Sequence, residues 1–218
     1  MPYAVPLTRR EAVLRQLRDE IVSGELAAGT IIKDAEVATR LGVSITPIRE
    51  AIVTLAAEGL VDIAPNRTRR VAHVTAKNAL ELIDVMQVLA CAGFAWGAVN
   101  LTQDDRRRMR RRLAEFVSHV DAGNLTAAAA VGADFSTIVI SASGNRELQT
   151  HVDLVVARTL RLLSLTRTNE IWQIWAAGYR ACLDLLDAGD LEGASRRYEQ
   201  IYTDYRAELT IQLLDVPG

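Results

Sequence analysis

The sequence of 218 residues predicts a mainly α-helical protein, with an N-terminal winged helix-turn-helix followed by an all-α helical bundle. Two observations predict this fold class. Residues 17–75 show three helical patterns, a short turn around Gly42, and then a strand–turn–strand. After Val74 long helical patterns follow one another to the end of the chain. We therefore expect domains at 1–75 and 76–218, with the boundary near residues 73–78.

The first two helices are short and amphipathic. Apolar residues recur at helical spacing in the first, which ends at Ser23-Gly24: Val13, Leu14, Leu17 and Ile21. Asp34 is the predicted N-cap of the second helix. Gly42 follows it, where the chain must turn and positive φ is favoured. This arrangement predicts a tight turn into a third helix.

The third helix is the predicted recognition helix. Ser44 or Thr46 can cap it, and Pro47 suits its first turn. A helix-turn-helix lays its second helix in the major groove of DNA, with the N-terminal residues nearest the bases. We therefore expect the outward residues at its start to contact double-stranded DNA: Ser44, Ile45, Thr46 and Arg49.

Two predicted strands, Leu60–Ala64 and Arg69–Val74, form the wing after this helix. Pro65-Asn66-Arg67-Thr68 between them has the composition of a turn. Asn66, Arg67 and Arg69 are the wing residues that we expect to contribute to DNA binding.

Composition places the chain among globular proteins, since half of its residues are hydrophobic. The net charge is −2, but residues 1–75 carry 10 basic and 9 acidic side chains, so the predicted DNA-binding part is slightly positive. Cys91 and Cys182 lie in apolar helical patterns and are expected to be buried free thiols. Residues 1–10 lack a signal peptide's apolar core, and Val85–Val99 is too short for a membrane span. A cytoplasmic protein is expected.

Six helices are predicted in the second part. They span Ala76–Asn100, Gln103–Ala122, Leu125–Ala142, Arg146–Arg167, Glu170–Ala188 and Leu191–Leu214. Thr102 and Asp105 have the spacing of a capping box. Six arginines fill Arg106–Arg112 except for position 109. A second nucleic-acid surface is one interpretation of this run, but we favour a solvated face paired with Asp104, Asp105 and Glu115.

The first third of the chain resembles the DNA-binding domain of GntR-type bacterial transcriptional regulators. The resemblance rests on GELAAGT, LGVSITPIREAI, LAAEGLV and PNRTRRV, which occur in the family's order. The family commonly has Arg where this chain has Ile45. Arg is the usual bidentate reader of guanine, so the family's common operator sequence does not carry over to this chain. An apolar Ile45 could instead contact a thymine methyl.

The second part resembles the FCD effector-binding domain of the FadR-like branch, through SASGNRELQ and LLDAGDLEGA. Many such domains hold a divalent metal with one Asp and three His, and an effector carboxylate often completes the coordination. The corresponding positions here are Gly132, Ser136, Tyr179 and Ile201, which are poor ligands. The resemblance therefore implies a cavity without a metal or another cofactor.

Four residues are the predicted effector contacts: Met86, Ser136, Arg158 and Tyr179. Arg161 is a further candidate for an acidic ligand, although either arginine could instead pair with Asp153 or Glu170. Trp172 and Trp175 either line the cavity or simply belong to the core. The three histidines, His73, His119 and His151, are scattered and are expected to be surface or packed residues.

These expectations together describe a cytoplasmic homodimer that binds a near-palindromic operator and responds to a small molecule, with a carboxylate as one candidate. Repression is implied by the resemblance alone. One alternative is a DNA-binding architectural protein whose helical domain only dimerises. The second alternative is an enzyme built on the helical domain. No nucleophile, phosphate-loop or metal-protease motif supports catalysis, so we expect no enzymatic activity.

Overall fold

The computed structural model describes residues 8–164 and 169–214. The chain folds into two compact units, which separate between Val74 and Thr75. This division lies one residue from the predicted boundary. Each unit is built around its own buried residues, and they are described separately below.

The first unit contains three helices and a two-stranded sheet. The helices are α1 (Arg9–Ser23), α2 (Asp34–Leu41) and α3 (Ile45–Ala57). The strands β1 (Val61–Ile63) and β2 (Arg69–Val71) are antiparallel, with Val61 opposite Val71. Both are shorter than predicted. Hydrogen bonds continue one residue beyond each end, from the Ala64 amide to the Thr68 carbonyl and from the Ala72 amide to the Leu60 carbonyl.

The predicted turn at Gly42 is confirmed, with φ of 66° in the left-handed region that glycine tolerates best. The prediction of Asp34 as the N-cap of α2 was wrong. Lys33 is the N-cap residue, and Asp34 is the first residue of the helix. A carboxylate in the first turn of a helix is stabilised by the helix dipole. The side chains that donate hydrogen bonds to Asp34, however, lie on other elements, as described below.

The second unit is the predicted bundle of long helices. They are α4 (Ala76–Ala98), α5 (Gln103–Asp121), α6 (Leu125–Ala142), α7 (Arg146–Ser164), α8 (Asn169–Asp187) and α9 (Leu191–Leu214). The Thr102–Asp105 capping box is confirmed. Bounds agree with the predictions within about two residues, except that the predicted end of α7 at Arg167 lies outside the described residues.

Aromatic and aliphatic residues from all six helices form the core of the bundle. Its α4 and α6 are long and apolar enough for membrane spans by length and composition. Each, however, packs against three other helices, as core helices of soluble bundles do. Cys91 and Cys182 are free thiols, and burial raises the pKa of each to about 12. Cys91 is only half-buried, less than predicted.

Candidate functional site

The start of α3 presents the predicted recognition residues to solvent. Ser44, Ile45, Thr46 and Arg49 are all exposed, Arg49 with 63% of its side chain accessible. Behind them Ile48, Ile52 and Leu55 are fully buried and fix the helix against the unit's core. Ser44 is the N-cap, yet its hydroxyl makes no capping hydrogen bond to any described residue. The outer face therefore carries hydroxyl, methyl and guanidinium groups on a rigid support.

One carboxylate joins the recognition helix to the wing. The Arg49 Nε donates to Asp34 Oδ2 at 2.9 Å, and the Arg69 guanidinium donates to Asp34 Oδ1 at 2.5 Å. We call these three residues the Asp34 cluster. The Arg69 side chain is only 25% exposed, whereas that of Arg49 is largely open. Arg69 therefore braces the wing, and Arg49 is the cluster's accessible cation.

Sequence reasoning missed the Asp34 cluster. Asp34 precedes Arg49 by 15 residues and Arg69 by 35, so no local spacing rule connects them. The signal that was available, an acidic residue at a helix start, predicted only a cap.

Pro65, Asn66 and Arg67 are exposed at the tip of the wing. Arg67 adopts a left-handed φ of 63°, which is uncommon for a residue with a side chain. The turn is closed by the Arg67 amide on the Ala64 carbonyl, and Asn66 Oδ1 accepts from the Thr68 amide at 3.1 Å. The Asn66 amide group and the Arg67 guanidinium are thus placed on an ordered tip.

The bundle encloses a small cavity of about 40 Å³. Its walls are mostly apolar and come from α4 to α9. Three of the four predicted effector contacts, Met86, Ser136 and Tyr179, line it, and so do Trp172 and Trp175. Arg158 is not among the described lining residues. It lies half-buried on α7, and its Nε has no described hydrogen-bond partner. Arg161 is buried.

Three hydroxyl groups form a hydrogen-bonded chain beside this cavity. Tyr198 donates to Ser136 Oγ at 2.8 Å, the Ser136 and Tyr179 hydroxyls are 3.1 Å apart, and Tyr179 donates to the Gly132 carbonyl at 3.0 Å. We call Tyr198, Ser136 and Tyr179 the hydroxyl chain. Burial raises the pKa of both tyrosines well above the ordinary value, so they stay neutral at physiological pH.

These residues do not fit the divalent metal that many domains of the resembled kind hold, as the sequence predicts. Hydrogen bonds link three of the four ligand positions, since Tyr179 bonds both the Ser136 hydroxyl and the Gly132 carbonyl. None of these residues offers an imidazole or a carboxylate to a metal. A Cβ at Gly132 would already lie 3.1 Å from the Phe116 ring. Within the described residues no group of three or more His, Cys, Asp or Glu side chains converges on a point.

Five of the six arginines in the α5 run have carboxylate partners. The arginine run on α5 pairs with Asp104, Asp105 and Glu115 as predicted. Two of its members also reach Asp187 on α8, which sequence spacing did not indicate. His73 and His151 are exposed and His119 is half-buried, in agreement with the surface or packed roles expected of them.

Comparison with protein families matches both units. Residues 9–71 match the family described as bacterial regulatory proteins, gntR family. Residues 81–204, more than half of the chain, match the FCD domain.

Individual relatives agree with these matches. The chain is 28% identical over 84% of its length to the "Probable D-xylose utilization operon transcriptional repressor" of Paenarthrobacter nicotinovorans, covering 82% of that protein. It is 30% identical to the HTH-type transcriptional repressor RspR of Escherichia coli, over 47% of this chain and 45% of that one. The solved structure of E. coli McbR/YncC shares the fold at 23% identity, with a TM-score of 0.82 over 95% of this chain and 99% of that chain.

Proposed function

Because this chain belongs to the GntR family of bacterial transcriptional regulators and carries an FCD domain, we propose that it is a dimeric repressor of a near-palindromic operator, released by a small molecule. The observation that carries the proposal is the exposed start of α3 with Arg49 beside the wing. Repressor names on two relatives support the sign of regulation. The proposed DNA contacts are Ser44, Ile45, Thr46, Arg49, Asn66, Arg67 and Arg69. Arg69 contributes mainly by holding the wing in position through its bond to Asp34.

In this proposal Arg49 exchanges its bond to Asp34 for one to DNA. The guanidinium is exposed and needs only to turn away from one carboxylate oxygen. Asp34 stays paired with Arg69, so the exchange does not leave a carboxylate alone. A base contact by Arg49 is worth about 1–3 kcal/mol, whereas a phosphate contact shows in the salt dependence.

A titration of DNA from upstream of the protein's own gene tests this role. We expect Arg49→Ala to weaken binding about ten-fold or more, or to flatten its salt dependence. Arg196→Ala is the matched control, because Arg196 pairs with Glu192 on an exposed face of α9. Wild-type affinity of Arg49→Ala at every salt concentration would contradict the proposal.

Ile45 offers a test of operator choice. It is 39% exposed at the first position of α3, where an apolar side chain can contact a thymine methyl. Selection of binding sites from random DNA with Ile45→Arg should change preference toward guanine at one position of each half-site. An unchanged selected sequence would remove Ile45 from the proposed contacts.

We place the dimer contact on α4. Val85, Val88, Trp96 and Val99 are 50–70% exposed and recur at helical spacing. Residues 85–99 contain no charged side chain, so the same face of a second copy meets it without like-charge repulsion. Such self-complementarity is what a two-fold interface requires. Two-fold symmetry would then supply two recognition helices to two half-sites.

Sedimentation analysis distinguishes a dimer contact on α4 from one elsewhere on the bundle. Val88→Glu should shift the protein toward monomer at micromolar concentration and weaken operator binding in parallel. Leu154→Glu is the control, since Leu154 is also an exposed apolar residue, 44% accessible on α7. Equal behaviour of the two variants would move the interface away from α4.

The bundle cavity is the proposed effector site, contacted by Met86, Ser136 and Tyr179. A carboxylate effector would need Arg158 or Arg161, and neither is among the described residues that line the cavity. Burying a carboxylate without a cation is costly, so we favour an uncharged effector. Ligand and operator affinities must be coupled reciprocally. A metabolite that raises the melting temperature and releases the protein from DNA would support this effector site, whereas a screen in which no metabolite raises the melting temperature would support the architectural alternative.

A further inference from the structure

The indole N–H groups of Trp172 and Trp175 distinguish this cavity from an ordinary apolar core. Both residues line it, and they are only 0% and 5% exposed. They lie three residues apart on α8, so both project from one side of that helix. Neither Nε1 has a hydrogen-bond partner among residues 8–164 and 169–214. A buried donor without a partner is costly, and two in one cavity require an explanation.

The other buried polar side chains of the cavity are already engaged, whereas Thr137, which also lines it, is exposed. The Tyr202 hydroxyl is hydrogen-bonded with that of Tyr198. Ser136 and Tyr179 belong to the hydroxyl chain, and the Thr159 hydroxyl donates to the Val155 carbonyl at 3.1 Å. Their protons are therefore committed, whereas the two indole protons are available. The described lining includes no Asp, Glu, Lys, Arg or His. The buried hydrogen-bonding groups that remain without a described partner in the cavity are thus two N–H donors, and they lie among uncharged, mostly apolar side chains.

We propose that Trp172 and Trp175 are the specificity-determining donors of the effector site, and that they select a compact apolar molecule carrying a neutral oxygen acceptor such as a carbonyl. This inference rests on the proposed function, because it takes the bundle cavity as the effector site. A neutral acceptor satisfies the indoles without placing a net charge in the cavity. An apolar body fits the remaining wall, formed by residues such as Met86, Phe116 and Ile140.

The volume of the cavity limits the first probes to small molecules. Cyclopentanone and methylenecyclopentane have nearly the same shape, but only the ketone offers an oxygen acceptor. The chain contains three tryptophans. Trp96, 51% exposed on the proposed dimer face of α4 and outside the cavity lining, reports changes away from the cavity separately from the two cavity indoles. The three indole ¹H–¹⁵N resonances of the full-length protein, assigned with single Trp→Phe variants, report each N–H separately.

We expect cyclopentanone to move the indole proton of Trp172 or Trp175 downfield and to saturate, with no such downfield shift at Trp96. Methylenecyclopentane should produce no downfield shift. Trp172→Phe or Trp175→Phe should weaken the ketone about five-fold for each hydrogen bond lost, and leave the hydrocarbon's affinity nearly unchanged. The proposal is overturned if both probes act alike, or if cyclopentanone at tens of millimolar moves neither cavity indole.

Operator binding by the same preparation separates this proposal from the function on which it rests. If the protein binds operator DNA but cyclopentanone does not shift either cavity indole, the assignment of Trp172 and Trp175 is wrong and the proposed regulatory function is unaffected. If the ketone shifts the indoles and no DNA is bound, the regulatory function fails while the acceptor site stands.

Discussion

The two units of this chain bury their polar side chains in different ways. In the winged unit Glu20 and Glu58 are buried carboxylates that accept hydrogen bonds from Arg40 and Arg18. In the bundle, Arg161 apart, the buried polar residues of the described chain are the neutral Ser136 and Thr159, together with tyrosines and indoles. Hydrogen bonds between an arginine and a carboxylate hold both side chains in one orientation, which suits a unit that is proposed to present cations to DNA. Neutral aromatic groups suit a cavity for an uncharged ligand.

The largest expected effect tests how tightly the bundle packs. A Cβ on Gly97 would lie 1.7 Å from the backbone oxygen of Val139, so α4 and α6 would have to separate. We expect Gly97→Ala to lower the free energy of unfolding by about 3 kcal/mol or more. Denaturant titration measures the loss. Hydrogen exchange should place it in the bundle and leave the amides of α1–α3 protected as in the wild type.

Gly93→Ala is the matched variant on the same helix. Its Cβ would meet the side chains of Ile140 and Leu148 at 2.9–3.1 Å, and side chains can move more easily than backbone. A smaller loss of about 1–2 kcal/mol is expected. If both variants were equally stable, the close approach of α4 and α6 would not be a constraint on the fold.

The next effect concerns the winged unit. Arg40 donates to both oxygens of Glu20 at 2.6 and 2.7 Å, while the Glu20 side chain is 2% exposed. Arg40→Ala leaves that carboxylate with Gln16 as its other described side-chain partner, so we expect a loss of about 2 kcal/mol. Arg15→Ala, which breaks an exposed pair at 3.9 Å with Asp19, should cost well under 1 kcal/mol. Hydrogen exchange of α1 and α2 compares the two.

The same pair predicts a pH dependence that the hydroxyl chain cannot produce. The hydrogen bonds from Arg40 lower the pKa of Glu20 below its ordinary value of 4.5. A lowered folded-state pKa contributes stability above the unfolded pKa, and this stability is lost as the pH falls through the folded value. Between pH 6 and 3 the winged unit of the wild type should therefore weaken more steeply than that of Arg40→Ala. Parallel curves would exclude the pair as a source of acid sensitivity.

Local patterns predicted the helices because periodicity and caps are properties of neighbouring residues. The capping box at Thr102 and the left-handed turn at Gly42 were both predictable in this way. The Asp34 cluster was not, since its members come from α2, α3 and β2. The same limit applies to the cavity. Aligned motifs selected Ser136 and Tyr179, but only the folded bundle reveals that Tyr198 of α9 donates to Ser136 of α6.

Arg158 illustrates the limit for charged residues. A sequence places it on α7 but does not give the rotation of that helix about its axis. The described cavity lining includes Val152, Val156 and Thr159 from α7 and omits Arg158. An arginine within one turn of a cavity residue can therefore point away from the cavity.

A smaller effect tests the hydroxyl chain through two tyrosines. The Tyr179 hydroxyl bonds both Ser136 and the Gly132 carbonyl, so Tyr179→Phe should lower the free energy of unfolding by about 1 kcal/mol. Tyr205 is fully buried, but its hydroxyl has no hydrogen-bond partner in the described part of the chain. Tyr205→Phe should be neutral or stabilising. Denaturation curves that rank the two variants in the opposite order would contradict this account.

The smallest expected effect is that of added metal. Ser136 and Tyr179 are neutral hydroxyls engaged with each other, and Gly132 and Ile201 have no donor side chain, so these positions offer a divalent cation no anionic or imidazole ligand. A ligand that binds only the native state raises stability by RT ln(1 + [L]/Kd), about 2.7 kcal/mol at one hundred times Kd. Zinc, nickel or manganese at about 100 μM should therefore leave the melting temperature within about one degree of the metal-free value. Stoichiometric metal found by elemental analysis in untagged protein would contradict the neutral description of the bundle cavity, and with it the contrast between the two units.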